Sequence, residues 1–293
     1  ERQCMSDQFI DKKELLALKT APLVAWATVM LFISCLSSFG FVTYCTLDGS
    51  LPLWTACILN GLITYFMFSV VHDSAHYAIS QIKWFNNFFG HVGMLFFGPL
   101  APLDFARWIH NQHHTYTNDP LKDPDYFAHK FDWLTPLRWT NFDYFYTSFF
   151  LRQAGEIRKK FGSRLLIQVG FILSMIFLAG YHGYLIEIFA LWLIPTRISS
   201  AMFIIMFVYL PHVPFICTAK ENRYRASSNR IGQEWLLTPI MTFQNYHLVH
   251  HLYPQAPFYR MIRLWKSQLA THLKQKPLLI EALTLSKIKD LVT

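Results

Sequence analysis

Eight of the thirteen histidines in this chain lie in three short groups whose spacing suits metal binding. The groups are His72 and His76, then His110, His113 and His114, and finally His247, His250 and His251. On a helix, residues three and four positions apart are neighbours on one face, so each group can direct its imidazoles at one point. Uncharged imidazole is the commonest metal ligand among side chains. The three groups therefore predict a metal site.

The number of imidazoles indicates more than one metal ion. One zinc ion takes four ligands, so two ions sharing the set is the simplest solution. Imidazole suits iron, copper and zinc alike, and the residues alone leave the metal open. A zinc protease is disfavoured because Asp73 stands where the motif His-Glu-x-x-His needs glutamate. We assign no catalytic residue beyond the metal site.

The composition indicates a membrane protein. Hydrophobic residues make up 53% of the chain and charged residues 15%, whereas a soluble domain usually carries about 25% charged residues. The net charge of +8 suits a face lying against anionic lipid headgroups. Nucleic acid is not an expected partner, because the lysines and arginines flank apolar segments and do not form a stripe.

Four apolar segments are long enough to cross a bilayer, which takes roughly 20 residues. We place the spans at about residues 21–46, 51–71, 165–181 and 198–215. The predicted fold is an all-α integral membrane protein, with four transmembrane helices in two hairpins. A cytoplasmic helical cap, formed by residues 72–164 and 216–293, then holds a histidine-rich dimetal site. Residues 1–293 form a single domain in this interpretation.

The loops predict the orientation. Lysine and arginine are frequent before the first span (Arg2, Lys12, Lys13 and Lys19), in the second loop and near the C-terminus, whereas the turn after the first span has none. Basic loops mark the cytoplasmic side, so both termini and all three histidine groups are expected there. A membrane metal transporter or sensor is the non-enzyme alternative. Transport sites lie near the bilayer midplane, and the position of the groups at span ends favours an enzyme.

The order and spacing of the three groups resemble the membrane fatty-acid-desaturase superfamily, over roughly residues 21–263. The resemblance implies a membrane enzyme with two Fe2+ ions that uses O2 to oxidise unactivated C–H bonds of a long lipophilic substrate. The sequence of the segments "HHTYTNDPLKDPDYF", "YLPHVPF" and "QNYHLVHHLYPQAPFYR" resembles that of desaturase-like carotenoid ring hydroxylases. It also resembles bacterial acyl-lipid desaturases. We expect β-carotene-hydroxylase-like ring hydroxylation, with fatty-acyl desaturation or hydroxylation as the alternative.

The expected enzyme needs an external source of electrons. The chain has no Gly-x-Gly-x-x-Gly motif, cysteine cluster or haem-binding domain. A ferredoxin, rubredoxin or cytochrome is therefore expected to dock on the cytoplasmic face.

The family usually adds one ligand from the helix before the last group, and His212 has that place, with an interfacial histidine as the alternative. His91 is a second candidate, as a direct ligand or as a partner of one. Metal-bound histidines usually donate their other N–H to a carboxylate or carbonyl. Further candidates for such supporting contacts are Asp73, Asp119, Asp123, Asp125 and Asn245. The aspartates of "NDPLKDPD" suit a solvated turn equally well, and Asn245 could be simply polar.

Overall fold

The fold is built almost entirely of helices, as the computed structural model describes it for residues 11–284. The longer helices are α1 (Lys12–Lys19), α2 (Trp26–Leu47), α3 (Leu53–Ala75), α4 (Lys83–Phe97), α5 (Leu103–Tyr116), α6 (Thr135–Thr140), α7 (Phe142–Leu151), α8 (Gly155–Tyr181) and α9 (Leu185–His212). The remaining helices are α10 (Ala219–Asn222), α11 (Glu234–Ile240), α12 (His247–Leu252), α13 (Met261–Ser267) and α14 (Leu269–Leu273). Short 3-10 turns lie at Pro124–His129, Gln244–Tyr246 and Phe258–Arg260, and two strands, β1 (Ser228–Ile231) and β2 (Leu278–Glu281), pair in parallel.

Four helices, α2, α3, α8 and α9, are long and apolar enough to cross a membrane. This confirms the predicted all-α membrane fold with four spans. The last two spans begin earlier than expected, at Gly155 and Leu185. Helix α8 continues through the charged segment 156–164, and α9 passes Pro195 directly after a π-helical stretch, Phe189–Leu193. The long turn expected before residue 198 is therefore largely helical.

Helix α3 is the central span, with α2, α4 and α9 packed around it. Gly61 permits the close approach of α9, because a Cβ atom there would lie 2.8 Å from the Cβ atom of Ile198. Further along, the rings of Phe68 and Phe203 are 4.3 Å apart. The two helices therefore run in the same direction, and both end in histidines on one side of the molecule.

The C-terminal region folds over this end of the spans. Strand β1 pairs with β2 from Ser228 opposite Leu278 to Ile231 opposite Glu281. Leu248 and Val249 of α12 are fully buried against Leu264 and Trp265 of α13. This packing fixes the backbone of the third histidine group.

The orientation in the membrane is a prediction that a reporter can test. We expect a reporter fused after Thr293 to read as cytoplasmic, because basic residues concentrate in the loops on the histidine side. Arg2 and the C-terminus itself lie outside the described residues. The measurement is the activity of a reporter that works on only one side of the membrane. A second fusion in the Asp48–Ser50 turn should read as external, and the opposite pattern would contradict the orientation.

Candidate metal centre

The first histidine group lies at the C-terminal end of the central span, α3. His72 lies in the last turn of α3, and His76 is the residue that caps its C-terminus. The guanidinium of Arg107 donates from Nη2 to the carbonyl oxygen of Ser74 and from Nε to that of Ala75, each over 3.1 Å. These bonds satisfy carbonyls that a helix end leaves without intrahelical partners. The end of α3 is therefore held in one conformation.

The second and third groups lie on separate helices outside the four spans, and both helices meet the end of α3. Helix α5 carries the second group, and α12 carries the third directly after the 3-10 turn Gln244–Tyr246. Thr242 and Phe243 have φ angles of 45° and 67°, which reverse the chain ahead of this turn. The reversal directs the third group towards the other two.

The histidines form two four-membered clusters. Cluster A contains His72, His76, His110 and His250, and cluster B contains His113, His212, His247 and His251. Within each cluster the nearest ring nitrogens all lie within 4.8 Å of one another. Each cluster therefore has the four imidazoles that one metal ion could take.

His114 lies between the two clusters. Its Nε2 atom is 3.1 Å from that of His110 and 2.8 Å from that of His250, both in cluster A. Its ring centroid is 4.3 Å from the ring of His251 in cluster B. His114 can therefore serve either cluster or connect them.

The arrangement of the ring nitrogens fits metal ions. Several Nε2 atoms face one another, such as those of His72 and His250 at 3.0 Å and those of His247 and His251 at 3.0 Å. Nε2 of His76 is buried and has no hydrogen-bond partner among the described residues. Buried polar atoms normally have a partner, and a metal ion would supply one for convergent lone pairs.

The electrostatics favour the neutral imidazole that a metal requires. Burial, followed by repulsion from neighbouring imidazoles, lowers the pKa of His250 well below its ordinary value. Burial and nearby His72 and Arg107 do the same to the pKa of His76. The pKa of His110 is lowered in the same way, by burial and the rings of His76 and His113. These three residues of cluster A are therefore uncharged at neutral pH.

Three histidines of cluster B have a partner at Nδ1. Nδ1 of His113 lies 3.0 Å from Oδ1 of Asp123, and Nδ1 of His212 lies 2.7 Å from the carbonyl oxygen of Val208. Nδ1 of His247 is 2.5 Å from Oε1 of Gln244. A ring that donates from Nδ1 presents the lone pair of Nε2, which is the usual arrangement of metal-bound histidine. Three of the four rings of cluster B are thus held in orientation by a partner at Nδ1, which leaves Nε2 directed at the cluster.

Two carboxylates make His113 different from the other histidines. Burial lowers its pKa, but Asp123 and Asp125 outweigh burial and raise the pKa to about 9. Asp125 lies 3.3 Å from Nδ1 of His113, and the hydroxyl of Tyr146 donates to Asp125 over 2.6 Å. Burial raises the pKa of Asp125 to about 6. The chain Tyr146–Asp125–His113 leads directly to cluster B.

The other predicted supporting residues are placed elsewhere. His91 is exposed on α4 and belongs to neither cluster. Asp73 is buried but accepts from Thr28 and from the backbone of Phe258, and so connects α3 to α2 and the C-terminal region. Asp119 accepts N–H groups of its own loop. Asn245 donates to Thr238 over 3.2 Å.

Sequence reasoning missed three supporting residues. Gln244 stands three positions before His247, a spacing that could have suggested it. Tyr146 and Arg107 lie far from the groups they support, and only the tertiary fold brings them there. No local pattern indicates either of them.

A largely apolar cavity of about 680 Å³ adjoins cluster A. His72 and His110 form part of its wall, and Phe68, Phe97 and Phe203 form another part. Its volume is in the range of small-molecule sites. A long apolar ligand in this cavity would lie against cluster A.

Replacing Asp123 with asparagine is expected to weaken metal binding. The asparagine keeps the size but loses the charge that holds the Nδ1 proton of His113, and such substitutions typically cost about 10–100-fold in metal affinity or activity. The measurement is the metal affinity of the purified protein, with Asp119→Asn as the matched control because Asp119 contacts only its own loop. Equal affinities for the two variants would contradict the role of Asp123.

Four candidate spans and two buried imidazole clusters at one end are the features of a membrane protein with sites that could hold two metal ions. Residues 48–277 match the fatty acid desaturase family, and the chain belongs to that family. The predicted family is therefore confirmed, and with it the class of non-haem di-iron oxidoreductases at the level of the family.

Similar proteins include both desaturases and a ketolase. The sn-1 oleoyl-lipid 12-desaturase of Picosynechococcus sp. is 33% identical over 104 residues, which cover 35% of this chain and 28% of that protein. The sn-1 oleoyl-lipid 12-desaturase of Arthrospira platensis is 25% identical over 240 residues, with coverages of 70% and 64%. The matches therefore span less than two thirds of both desaturases. The beta-carotene ketolase of Paracoccus sp. (strain PC1) is 27% identical over 259 residues, with coverages of 86% and 92%.

Proposed function

We propose that this chain is an O2-dependent di-iron oxygenase of the membrane that oxidises C–H bonds of a long lipophilic substrate. The proposal rests on one observation: two four-histidine clusters lie side by side, and an apolar cavity lies directly against one of them, cluster A. Family membership supports the same reaction class. A membrane metal transporter does not need a ligand-sized apolar cavity against its metal site.

The proposed ligands are nine histidines, namely the eight of the two clusters and His114. Cluster A would hold one Fe2+ ion and cluster B the other, with His114 completing either set. Bound iron would supply O2 activation and the oxidation of the C–H bond. Asp123, Gln244 and the carbonyl of Val208 would keep the rings of cluster B oriented through their Nδ1 atoms.

The chain itself would position the substrate and exclude water. Phe68 and Phe203 lie between α3 and α9, and both line the cavity on the approach to His72. His72 is 2% exposed, which keeps this part of cluster A away from bulk water. No acid or base beyond the metal site is needed for this role.

A carotenoid ring is the substrate that we propose first. Among the similar proteins, the beta-carotene ketolase is matched over nearly its whole length, at 92%. An acyl lipid is the second candidate, because two other similar proteins are named sn-1 oleoyl-lipid 12-desaturase. Electrons would come from a ferredoxin, rubredoxin or cytochrome on the cytoplasmic side.

One experiment tests the function and separates the substrates. The chain is expressed, with a suitable electron donor, in a host that makes both β-carotene and ordinary fatty acids, and all lipids are profiled. We expect oxygenated carotenoids and about two iron ions per purified chain, since eight or more imidazoles exceed the four that one zinc takes. New double bonds in acyl chains would select the acyl alternative. A single tetrahedral zinc with no lipid product would overturn the proposal.

A further inference from the structure

An ion pair lies in the wall of the apolar cavity. Arg197 of α9 and Asp143 of α7 both line the cavity, and Nη1 of the arginine is 2.9 Å from Oδ1 of the aspartate. Arg197 lies within the fourth span, where a charged residue is costly. Charged residues inside spans face the protein interior, pair with one another and mark substrate pathways. The position of this pair therefore points to a ligand.

The pair lies far from cluster A along the helix axes. Ile198, the neighbour of Arg197, packs against Gly61 of α3, and His72 follows Gly61 by eleven residues. At a rise of 1.5 Å per residue, the backbone of Arg197 lies about 16 Å from the level of His72. Phe68 and Phe203 stand between these levels. The cavity therefore has a polar group at one end and histidines at the other, with an aromatic wall between them.

The ion pair has no net charge, but each of its two side chains keeps one atom that can form a further hydrogen bond. Arg197 donates from Nε to Thr196 over 3.1 Å and from Nη1 to the carbonyl oxygen of Thr140 over 3.2 Å. The hydrogen bonds of the pair within the described residues use Nε and Nη1 of Arg197 and Oδ1 of Asp143. Nη2 of Arg197 and Oδ2 of Asp143 take part in none of them, and the two side chains are 32% and 33% exposed. One free donor thus stands beside one free acceptor.

This combination selects among the polar groups that a long lipid can carry. A hydroxyl both donates and accepts, so it can pair with both free atoms at once. A carboxylate would meet the negative charge of Asp143, and a hydrocarbon would leave both atoms unpaired, which is unfavourable in an apolar cavity. An uncharged hydroxyl is therefore the best complement.

We propose that Arg197 and Asp143 form a recognition site for a hydroxyl group on a long lipophilic ligand whose apolar part lies in the cavity. The inference rests on the proposed function only in treating this cavity as the substrate site. It adds that, within the proposed carotenoid class, a ligand that already carries a hydroxyl group binds more tightly than the hydrocarbon β-carotene, and that free acids bind more weakly than alcohols. The other role available to the pair is a link between α7 and α9 that does not touch ligand.

The test measures binding and does not depend on turnover. The iron-loaded protein in lipid nanodiscs is first saturated with labelled hexadecanol. Unlabelled hexadecanol, hexadecane or hexadecanoate is then added, and the label that each one displaces is measured. The label bound by nanodiscs without protein is subtracted. We expect hexadecanol to bind about tenfold more tightly than the other two, the difference that one hydrogen bond to a charged group makes.

Two variants separate recognition from a structural link. Asp143→Asn removes the repelling charge, so hexadecanoate should gain on hexadecanol, whereas Arg197→Gln should remove the advantage of the alcohol. Arg164→Gln is the matched control, because Arg164 pairs with Asp104 between α8 and α5 and neither residue lines the cavity. A link alone would lower stability in Asp143→Asn without changing the ratio of acid to alcohol.

The outcomes distinguish this inference from the proposed function. Equal binding of the three ligands to the unaltered protein, or an unchanged ratio in Asp143→Asn, overturns the hydroxyl site even if lipids are oxidised. If the variants fail to fold, the order of the three ligands on the unaltered protein still decides. Selective binding of hexadecanol in a protein that oxidises no lipid would leave this site standing and overturn the oxygenase.

Discussion

Replacing His250 with alanine is expected to abolish lipid oxidation and to lower bound iron from about two ions per chain to about one, on the count of four ligands per ion. Nε2 of His250 is 3.0 Å from Nε2 of His72 and 2.8 Å from that of His114. The residue therefore joins cluster A to the histidine between the clusters. Its removal leaves cluster A with three of its four imidazoles and removes the contact with His114. The measurements are lipid products and metal content of the purified variant.

The loss should be specific to the metal site. His250 lies outside the four spans, so the variant should still insert in the membrane. His182→Ala is the matched control, since His182 is exposed in the turn between the last two spans. A His250→Ala protein with full iron content and turnover would show that cluster A does not hold a catalytic metal.

The spacing of the histidines predicts that they meet, but not how they divide. His110 belongs to cluster A and His113 to cluster B, although both lie in one group on α5. The same division separates His250 from His251 on α12. Positions three apart share a face of a helix but are offset by about 60° around it, and adjacent positions by about 100°, so the rings of one group can turn to different clusters. Which side faces which cluster depends on how α5 and α12 dock, and a local pattern does not contain that information.

The spans show where composition misjudges helix length. Sequence reasoning began the third span after the charges of 156–164, yet α8 starts at Gly155. Long basic side chains near a span end can extend their charges to the interface, so the charges do not end the helix. The predicted spans likewise leave residues 182–197 as a turn, but α9 begins at Leu185 and passes Pro195 after a π-helical stretch. The apolar pattern predicted the number of spans, and backbone adjustment determined their bounds.

The aspartates after the second group show the same limit for the site. Asp119, Asp123 and Asp125 lie in one short motif, but only the last two contact His113. The 3-10 turn Pro124–His129 follows Asp123, which caps it by accepting from the backbone of Asp125. This local turn brings both carboxylates under the imidazole. The sequence motif predicted a carboxylate partner for a metal-binding histidine, whereas the 3-10 turn determines which aspartates contact His113.

His212→Ala is expected to lower bound iron and remove activity together. His212 is 1% exposed at the end of α9, and its Nε2 atom is 3.3 Å from Nε2 of His251. Nδ1 lies 2.7 Å from the carbonyl oxygen of Val208, which directs the other nitrogen at cluster B. A histidine at the lipid interface would lack both contacts. Cluster B would therefore keep only three of its four imidazoles in the variant.

The control for His212 is His91, the other histidine that could have supplied the extra ligand. His91→Ala should keep both iron and activity, because His91 is exposed on α4 and lies outside the two clusters. Metal content separates the two residues even in a preparation without an electron donor. If His91→Ala loses iron while His212→Ala keeps it, the extra ligand has been assigned to the wrong histidine. If both variants keep two ions and full turnover, cluster B is complete without His212, and its buried ring serves packing alone.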